Sequence, residues 1–238
     1  TAAHPHPHLV QVHELIGGDR AVCVAMEWIE GPDLWTWARQ LDPEARGQRL
    51  LGALPGIASA LAHLHAAGLV HGDVSPRNIL ITPTRQPVVL DLGLSRFLVG
   101  PDVETKRRTF SGTLPYVAPE ELLGADAGSS GDAFALGRVL HACCEGREEP
   151  MLPSSIRLSS AWPRALRECV EGLVAENPAD RWSMSQVLQR VGVRSTARVR
   201  ERAPESALVD ELVAVARDEL PAVMVVRSDD PDARRRLG

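Results

Sequence analysis

Two short β-rich segments with polar ends constrain this chain more than any other feature. The segments ILIT (79–82) and VVL (88–90) are separated by a turn, with Asn78 directly before the first and Asp91 directly after the second. If they pair as an antiparallel hairpin in which residue 79 faces residue 90, a four-residue turn remains and Asn78 lies opposite Asp91. Side chains opposed in this way have Cβ atoms about 5 Å apart. The pattern therefore predicts two oxygen-bearing side chains at the open end of one hairpin.

An amide oxygen and a carboxylate at that spacing suit a hard cation such as Mg²⁺, which takes oxygen ligands at about 2.0–2.1 Å and keeps several waters. Asp73 lies on the loop that leads into the same strand, so a third oxygen donor faces the same place. A metal that neutralises phosphates and a separate carboxylate that orients a hydroxyl are what phosphoryl transfer requires. Each residue alone is also common at strand ends for local reasons, so only the combination indicates chemistry.

Residues 71–78 (HGDVSPRN) resemble the catalytic loop of the protein kinase family, and DLG at 91–93 resembles its DFG metal motif. The segment GTLPYVAPE at 112–120 is similar to the GTxxYxAPE segment of the family. In kinases this segment builds a platform for a protein substrate. The resemblance follows the family order over roughly residues 4–191.

Three further positions extend the resemblance into the second half of the chain. Asp132 and Gly137 resemble residues of the helix that anchors the catalytic loop. Arg181 resembles the arginine that pairs with the glutamate of the APE motif, here Glu120. We expect Glu120 and Arg181 to form a buried ion pair.

The resemblance implies an α+β, protein kinase-like fold with a partial β-rich front lobe and a mainly helical C-lobe. Residues 1–193 would form a partial kinase domain. Residues 194–204 are polar and arginine-rich and are interpreted as a linker, and 205–238 as the start of a further domain or interaction segment. In the front part, β-rich runs at 9–16 and 21–29 predict a hairpin.

The resemblance also implies roles for individual residues. Asp73, Asn78 and Thr113 would be catalytic, and Asn78 and Asp91 would bind Mg²⁺. Thr113, near the catalytic aspartate by analogy, favours a Ser/Thr over a Tyr kinase. The residues that would contact ATP are Met26 as gatekeeper, the Glu27 and Ile29 backbones, Asp33 at the ribose, Leu80 under the base, Ser75 near the transferred phosphate, and Asp91.

The chain departs from the family pattern in its catalytic loop. Gly72 stands where most members have an arginine that receives the activation-loop phosphate, so we do not expect that form of control. Ser75 stands where Ser/Thr kinases have a lysine, and its hydroxyl can donate a hydrogen bond but carries no charge.

The beginning of the sequence also departs from the family pattern. The glycine-rich loop and the strand lysine should precede HPHPHLV (4–10) and are not in this sequence, whose only lysine is Lys106. We expect the sequence to be a fragment of a longer protein, and the fragment to be inactive.

Charge and composition exclude several other classes of protein. The chain has 26 basic and 31 acidic residues and a formal net charge of −5, so we expect no nucleic-acid partner. No apolar run reaches the roughly 18 residues of a membrane helix, so we expect no membrane segment in this fragment. The four cysteines have no CxxC spacing, which indicates reduced thiols in a cytoplasmic protein.

Three functions fit these features. The first is a bacterial-type Ser/Thr kinase that transfers the ATP γ-phosphate to a Ser or Thr hydroxyl of a protein substrate. Arginine in place of lysine at nearly every basic position fits a GC-rich genome. The second is a pseudokinase that acts as a scaffold, which Ser75 and the absent lysine favour. The third is a small-molecule phosphotransferase of kinase-like fold, against which the GTLPYVAPE segment argues.

Overall fold

The β-rich beginning of the chain forms the predicted hairpin. The computed structural model describes residues 6–17, 22–90, 114–125, 127–147, 156–192 and 223–227. Strand β1 (Val12–Gly17) pairs antiparallel with β2 (Val22–Met26), and an irregularity in the register falls between residues 12 and 14.

Two helices follow the hairpin, and both begin where the sequence places a start signal. Asp33 precedes α1 (Leu34–Arg39), and its Oδ1 accepts a hydrogen bond of 2.7 Å from the Thr36 amide. Helix α2 (Pro43–Ala66) begins with a proline, whose missing N–H costs nothing in the first turn. The apolar residues of α2 that recur every three or four positions are buried: Leu50, Leu54, Ile57, Leu61 and Leu64.

The second hairpin has a register that differs by one residue from the sequence prediction. Strand β3 (Ile79–Ile81) pairs with β4 (Pro87–Val89), and residue 79 faces residue 89 rather than 90. The Leu90 amide donates to the Asn78 carbonyl at 2.8 Å, so Leu90 is the residue opposite Asn78. The prediction that Asp91 lies directly opposite Asn78 is therefore wrong. Asp91 itself lies outside the described residues.

The turn of this hairpin explains the difference. The Arg85 amide donates to the Thr82 carbonyl, and Arg85 has a left-handed backbone with a φ of 64°. The Thr82 amide in turn donates to the Gln86 carbonyl. A three-residue loop that ends in a left-handed residue is a common hairpin connection. Because this loop is one residue shorter than the predicted turn, every pair in the hairpin is shifted.

Between residues 114 and 192 the described chain is mainly helical, as predicted. It contains α3 (Pro119–Leu122), α4 (Gly128–Glu145), α5 (Arg164–Leu173) and α6 (Met184–Arg190). Helix α4 is buried along most of its length and packs on α2 and α5. A β-carbon on Gly137 would lie 2.5 Å from Val174, so the glycine permits the close approach of the chain at the end of α5. The α+β fold class is confirmed.

A last strand, β5 (Val223–Arg227), pairs in parallel with β2 and gives the front sheet the order β1-β2-β5. The apolar run AVMVV at 222–226 predicts a strand, and the strand is present. That residues 205–238 begin a further domain stays a prediction. None of the helices in the described part of the chain is both long and apolar enough to cross a membrane.

Candidate active site

The loop at 71–78, called the catalytic loop below, brings two of the predicted catalytic residues together. The Asn78 Nδ2 donates to the Asp73 carbonyl at 2.9 Å and to the Asp73 Oδ2 at 3.0 Å. A short 3₁₀ turn at Pro76–Asn78 and the start of β3 fix Asn78 in this place. The side-chain nitrogen of Asn78 is used in these two bonds, and Asn78 can bind a cation through Oδ1. An amide oxygen beside a carboxylate is a donor set that fits Mg²⁺.

His71 fastens the catalytic loop to the end of β4. Its side chain is fully buried, its Nε2 lies 2.7 Å from the Leu90 carbonyl, and its Nδ1 accepts a hydrogen bond from the Asp73 amide. Because a carbonyl only accepts, these two bonds place the ring proton on Nε2. His71 thus links the backbone of Asp73 to Leu90, the residue before Asp91.

Asp132 of α4 anchors the catalytic loop through hydrogen bonds to its backbone. Its Oδ2 accepts from the His71 amide and lies 2.8 Å from the Nε2 of His65, and its Oδ1 accepts from the Gly72 amide at 2.8 Å. The residue is only 2% exposed, so these donors replace the water that its carboxylate would otherwise bind. The predicted anchoring role of this helix is confirmed by these contacts.

A cleft lies between the front sheet and the hairpin of β3 and β4, which is called the catalytic hairpin below. Its volume is about 370 Å³, which is within the range of small-molecule sites. Five of the residues predicted to contact ATP line it: Met26, Glu27, Ile29, Asp33 and Leu80.

The floor of the cleft is apolar and buried. Met26, which is 2% exposed, and Leu80 belong to one cluster that joins β2 to the catalytic hairpin. An apolar floor of this kind suits the face of a planar base. The other buried members of the cluster are Val10, Val24, Val88 and Leu90.

Two polar residues of the cleft are already engaged within the protein. The Glu27 amide donates to the Gln11 carbonyl, so the Glu27 backbone can contact a base through the Glu27 carbonyl. Both carboxylate oxygens of Asp33 bind Thr36, one at its amide and one at its hydroxyl. A ribose hydroxyl that binds Asp33 has to share this carboxylate with the cap of α1.

The remaining predicted site residues are not brought into the cleft by described contacts. Ser75 is 1% exposed, and its carbonyl accepts from the Asn78 amide. This burial separates its side chain from solvent, where the phosphates would enter. Asp91 and Thr113 lie outside the described residues.

Residues 114–122, called the platform below, lie beside the catalytic loop. A small depression joins the two and is lined by Asp73 on one side and by Tyr116 and Val117 on the other. Tyr116 belongs to the buried helical core and Ala118 is fully buried, which ties the backbone of the platform to that lobe.

An ion pair fixes the end of the platform, as the sequence predicts. The Arg181 guanidinium donates two hydrogen bonds to the Glu120 carboxylate, at 2.5 and 2.8 Å. Burial by itself would raise the pKa of Glu120, but the hydrogen bonds and charge of Arg181 outweigh it, and the pKa lies below its ordinary value. Arg181 also donates to the Ser130 and Ala175 carbonyls.

Sequence reasoning missed three residues around the site. His65 supports Asp132, Arg77 lines the mouth of the cleft, and the Nε of Arg138 donates to the Pro115 carbonyl of the platform at 2.8 Å. A signal for Arg138 was present, because a single arginine interrupts the small and apolar residues 133–140. A charged residue in such a run indicates a buried group with a partner.

Comparison with known families agrees with this geometry. Residues 1–191 match the family described as protein kinase domain. The fold and the site therefore define a kinase domain, and the chain belongs to the protein kinase family. Within that family, its relatives place it with the serine/threonine kinases of bacterial type.

Three relatives illustrate the similarity. The serine/threonine-protein kinase PkaA of Streptomyces coelicolor is 32% identical over 211 residues, which cover 79% of this chain and 37% of PkaA. PknA of Mycobacterium tuberculosis is 32% identical over 203 residues, covering 76% and 46%. The kinase cds1 of Schizosaccharomyces pombe is 30% identical over 224 residues, covering 85% and 48%. The chain spans less than half the length of these relatives.

Proposed function

We propose that the protein is a Ser/Thr kinase that transfers the γ-phosphate of ATP to hydroxyls of a protein substrate. The observation that carries this proposal is the pair of hydrogen bonds between Asn78 and Asp73. They hold a carboxylate and an amide oxygen between a cleft of nucleotide size and a platform. Positioning and electrostatic stabilisation account for most of the catalysis in phosphoryl transfer, and this arrangement supplies both.

Each residue has a separate role in the proposal. Asp73 orients the attacking hydroxyl and accepts its proton. Asn78 and Asp91 hold Mg²⁺, which neutralises phosphate charge when bound. Thr113 is proposed to contact the substrate hydroxyl, whereas the burial of Ser75 argues against its predicted hydrogen bond near the transferred phosphate.

The adenine of ATP would lie on the buried floor of the cleft. The Glu27 and Ile29 backbones contact its edge, Met26 closes the back, and Leu80 packs beneath it. Asp33 contacts the ribose. The apolar floor and the size of the cleft support this placement.

Two alternatives make different demands on the same site. A pseudokinase needs the fold but not the ordered contact between Asn78 and Asp73, and that contact disfavours it. A small-molecule phosphotransferase needs no protein platform, whereas here Glu120 and Arg181 secure one. We also propose a cytoplasmic location, which the buried thiols of Cys143, Cys144 and Cys169, none of them in a disulfide, support.

The test uses the whole protein, labelled ATP, Mg²⁺ and a degenerate peptide mixture with a central serine or threonine. We expect label in the peptides and none with the Asp73→Ala variant. Asp42→Ala is the matched control, because Asp42 is exposed and its side chain makes no capping bond. Activity retained in Asp73→Ala would contradict the proposal.

The same assay with the 238-residue chain alone should give no label above a blank without enzyme. Its only lysine is Lys106, which follows the DLG motif, so no lysine precedes β2 to hold the phosphates. Incorporation that depends on Asp73 in this shorter chain would show that the phosphates are held in another way.

A further inference from the structure

Arg138 is a buried charge in the middle of α4. It is 3% exposed, and its neighbours along the helix are small or apolar. An arginine is rarely buried so completely unless its guanidinium has partners, because removing the charge from water is costly. Its Nε donates to the Pro115 carbonyl at 2.8 Å, which links α4 directly to the platform.

The same helix also holds the catalytic loop. Asp132 binds the amides of His71 and Gly72, and it lies one and two-thirds turns before Arg138 in α4, which is about 9 Å along a helix axis. A helix is stiff over this distance. The separation between the two contacts therefore fixes how far the platform lies from Asp73.

We propose that Arg138 is a positioning residue that sets the distance between the platform and Asp73. It thereby sets where the substrate hydroxyl lies relative to the Asp73 carboxylate. The effect on the substrate hydroxyl rests on the proposed kinase function. The distance between the platform and Asp73 does not. The depression between platform and loop includes Ala135 of α4 as well as Asp73 and Val117, so a shift of the platform on α4 changes its shape.

The contact does not depend on phosphorylation. Gly72 has no side chain with which to bind a phosphate on the activation segment. The bond from Arg138 needs no such modification, since a guanidinium is charged at every physiological pH. The platform is in this way held by the fold itself.

Hydrogen exchange on the 238-residue chain tests the geometry and requires no activity. Arg138→Met keeps an unbranched side chain that reaches about as far as Nε but removes the guanidinium and its donors. We expect the amides of Glu121 in the platform and of Leu123 directly after it, which donate to the Ala118 and Pro119 carbonyls of the platform, to exchange about tenfold faster. The amides of His71 and Gly72 should keep their wild-type rates.

Arg46→Met is the matched control. Arg46 also donates to a carbonyl of α4, that of Cys144 near the helix end, but it does not contact the platform. It should leave the exchange of Glu121 and Leu123 unchanged. An unchanged platform in Arg138→Met, or an equal rise at His71 and Gly72, overturns the proposal.

Arg138→Lys keeps the charge and a donor with altered geometry, so it should recover part of the wild-type protection. If Arg138→Met does not fold, Arg138→Lys carries the test alone. A rise of about threefold confined to the platform supports the proposal, and no rise or a general one overturns it.

Kinetics on the whole protein test the consequence. Arg138→Met should raise the apparent KM for the degenerate peptide mixture about tenfold and leave the KM for ATP unchanged, with partial recovery in Arg138→Lys. A loss of kcat with an unchanged peptide KM overturns the positioning role. Absence of transfer by the unmutated protein contradicts the proposed function instead, and the exchange pattern then still decides the role of Arg138.

Discussion

Glu120 and Arg181 are 61 positions apart in sequence and are joined by two hydrogen bonds between their side chains. The Arg181 side chain is fully buried, and 19% of the Glu120 side chain is exposed. Arg181 also lies over the ring of Phe134, at 4.8 Å from its centroid. The pair therefore connects the end of the platform both to α4 and to the segment that precedes α6.

Arg181→Ala should destabilise the protein by about 3 kcal/mol, because it leaves Glu120 with an uncompensated and largely desolvated charge. Glu120→Ala should cost a similar amount. The double variant should show a coupling energy above about 1 kcal/mol in urea denaturation. Coupling near zero would mean that the two residues stabilise the protein independently.

The Glu120 pair should also make stability depend on pH. Its folded-state pKa lies below the ordinary value of 4.5, so its contribution is complete above that pH and is lost as the pH falls through the lower folded value. Glu120→Gln should flatten the stability curve in this acidic range. If the stability of the variant depends on pH as steeply as that of the wild-type protein, other carboxylates cause the effect.

Asp73→Asn and Asp91→Ala should both abolish phosphate transfer in the whole protein, for different reasons. Asp73 is proposed to act on the hydroxyl during the chemical step, whereas Asp91 is proposed to bind the metal before it. Only Asp91→Ala should weaken the binding of Mg·ATP, by about tenfold or more, as measured by calorimetry. Equal losses of affinity in the two variants would contradict this division of roles.

Gly31 should not tolerate a side chain. Its φ is 140°, and a β-carbon would lie 2.0 Å from the Ile81 carbonyl oxygen of β3. Gly31→Ala should therefore cost more than about 2 kcal/mol and distort the cleft that Gly31 lines. Gly52→Ala is the control, since a β-carbon there meets nothing within 4 Å and helical alanine should stabilise α2 by about 0.5–1 kcal/mol. Equal effects in urea denaturation would rule out the close approach.

The segment before β1 should dock less firmly in acid. Burial, together with the charges of His63 and His8, lowers the pKa of His6 from 6.5 to about 4. Between these values the unfolded state binds more protons, so stability should fall as the pH is lowered from 6.5 to about 4. His6→Gln should remove part of this slope, and His13→Gln, at an exposed position, should not.

The sequence predicts well those parts of the site whose residues lie close together in the chain or follow the order of the family motifs. Asp73 and Asn78 fall within one loop, so their contact needs only local geometry. Glu120 and Arg181 are far apart, but each has a residue type that the resemblance places. The contact between them is therefore predictable without knowledge of the helix packing.

The parts that sequence does not predict depend on the backbone. The register of the catalytic hairpin follows from the left-handed conformation of Arg85, a residue type that rarely adopts it. The partner of Arg138 is a carbonyl, which every residue has, so no residue type marks Pro115 as the acceptor. Contacts of this kind become visible only when the packing of α4 is known.

Residue 72 has a left-handed backbone with a φ of 74°, and Asp132 binds it through its amide. Any residue with a β-carbon adopts this backbone at a cost of about 1–2 kcal/mol, whereas glycine adopts it without that strain. The bond from Asp132 needs no side chain at this position, and the absence of one removes the strain. In this chain the catalytic loop therefore holds its anchored shape without backbone strain at residue 72.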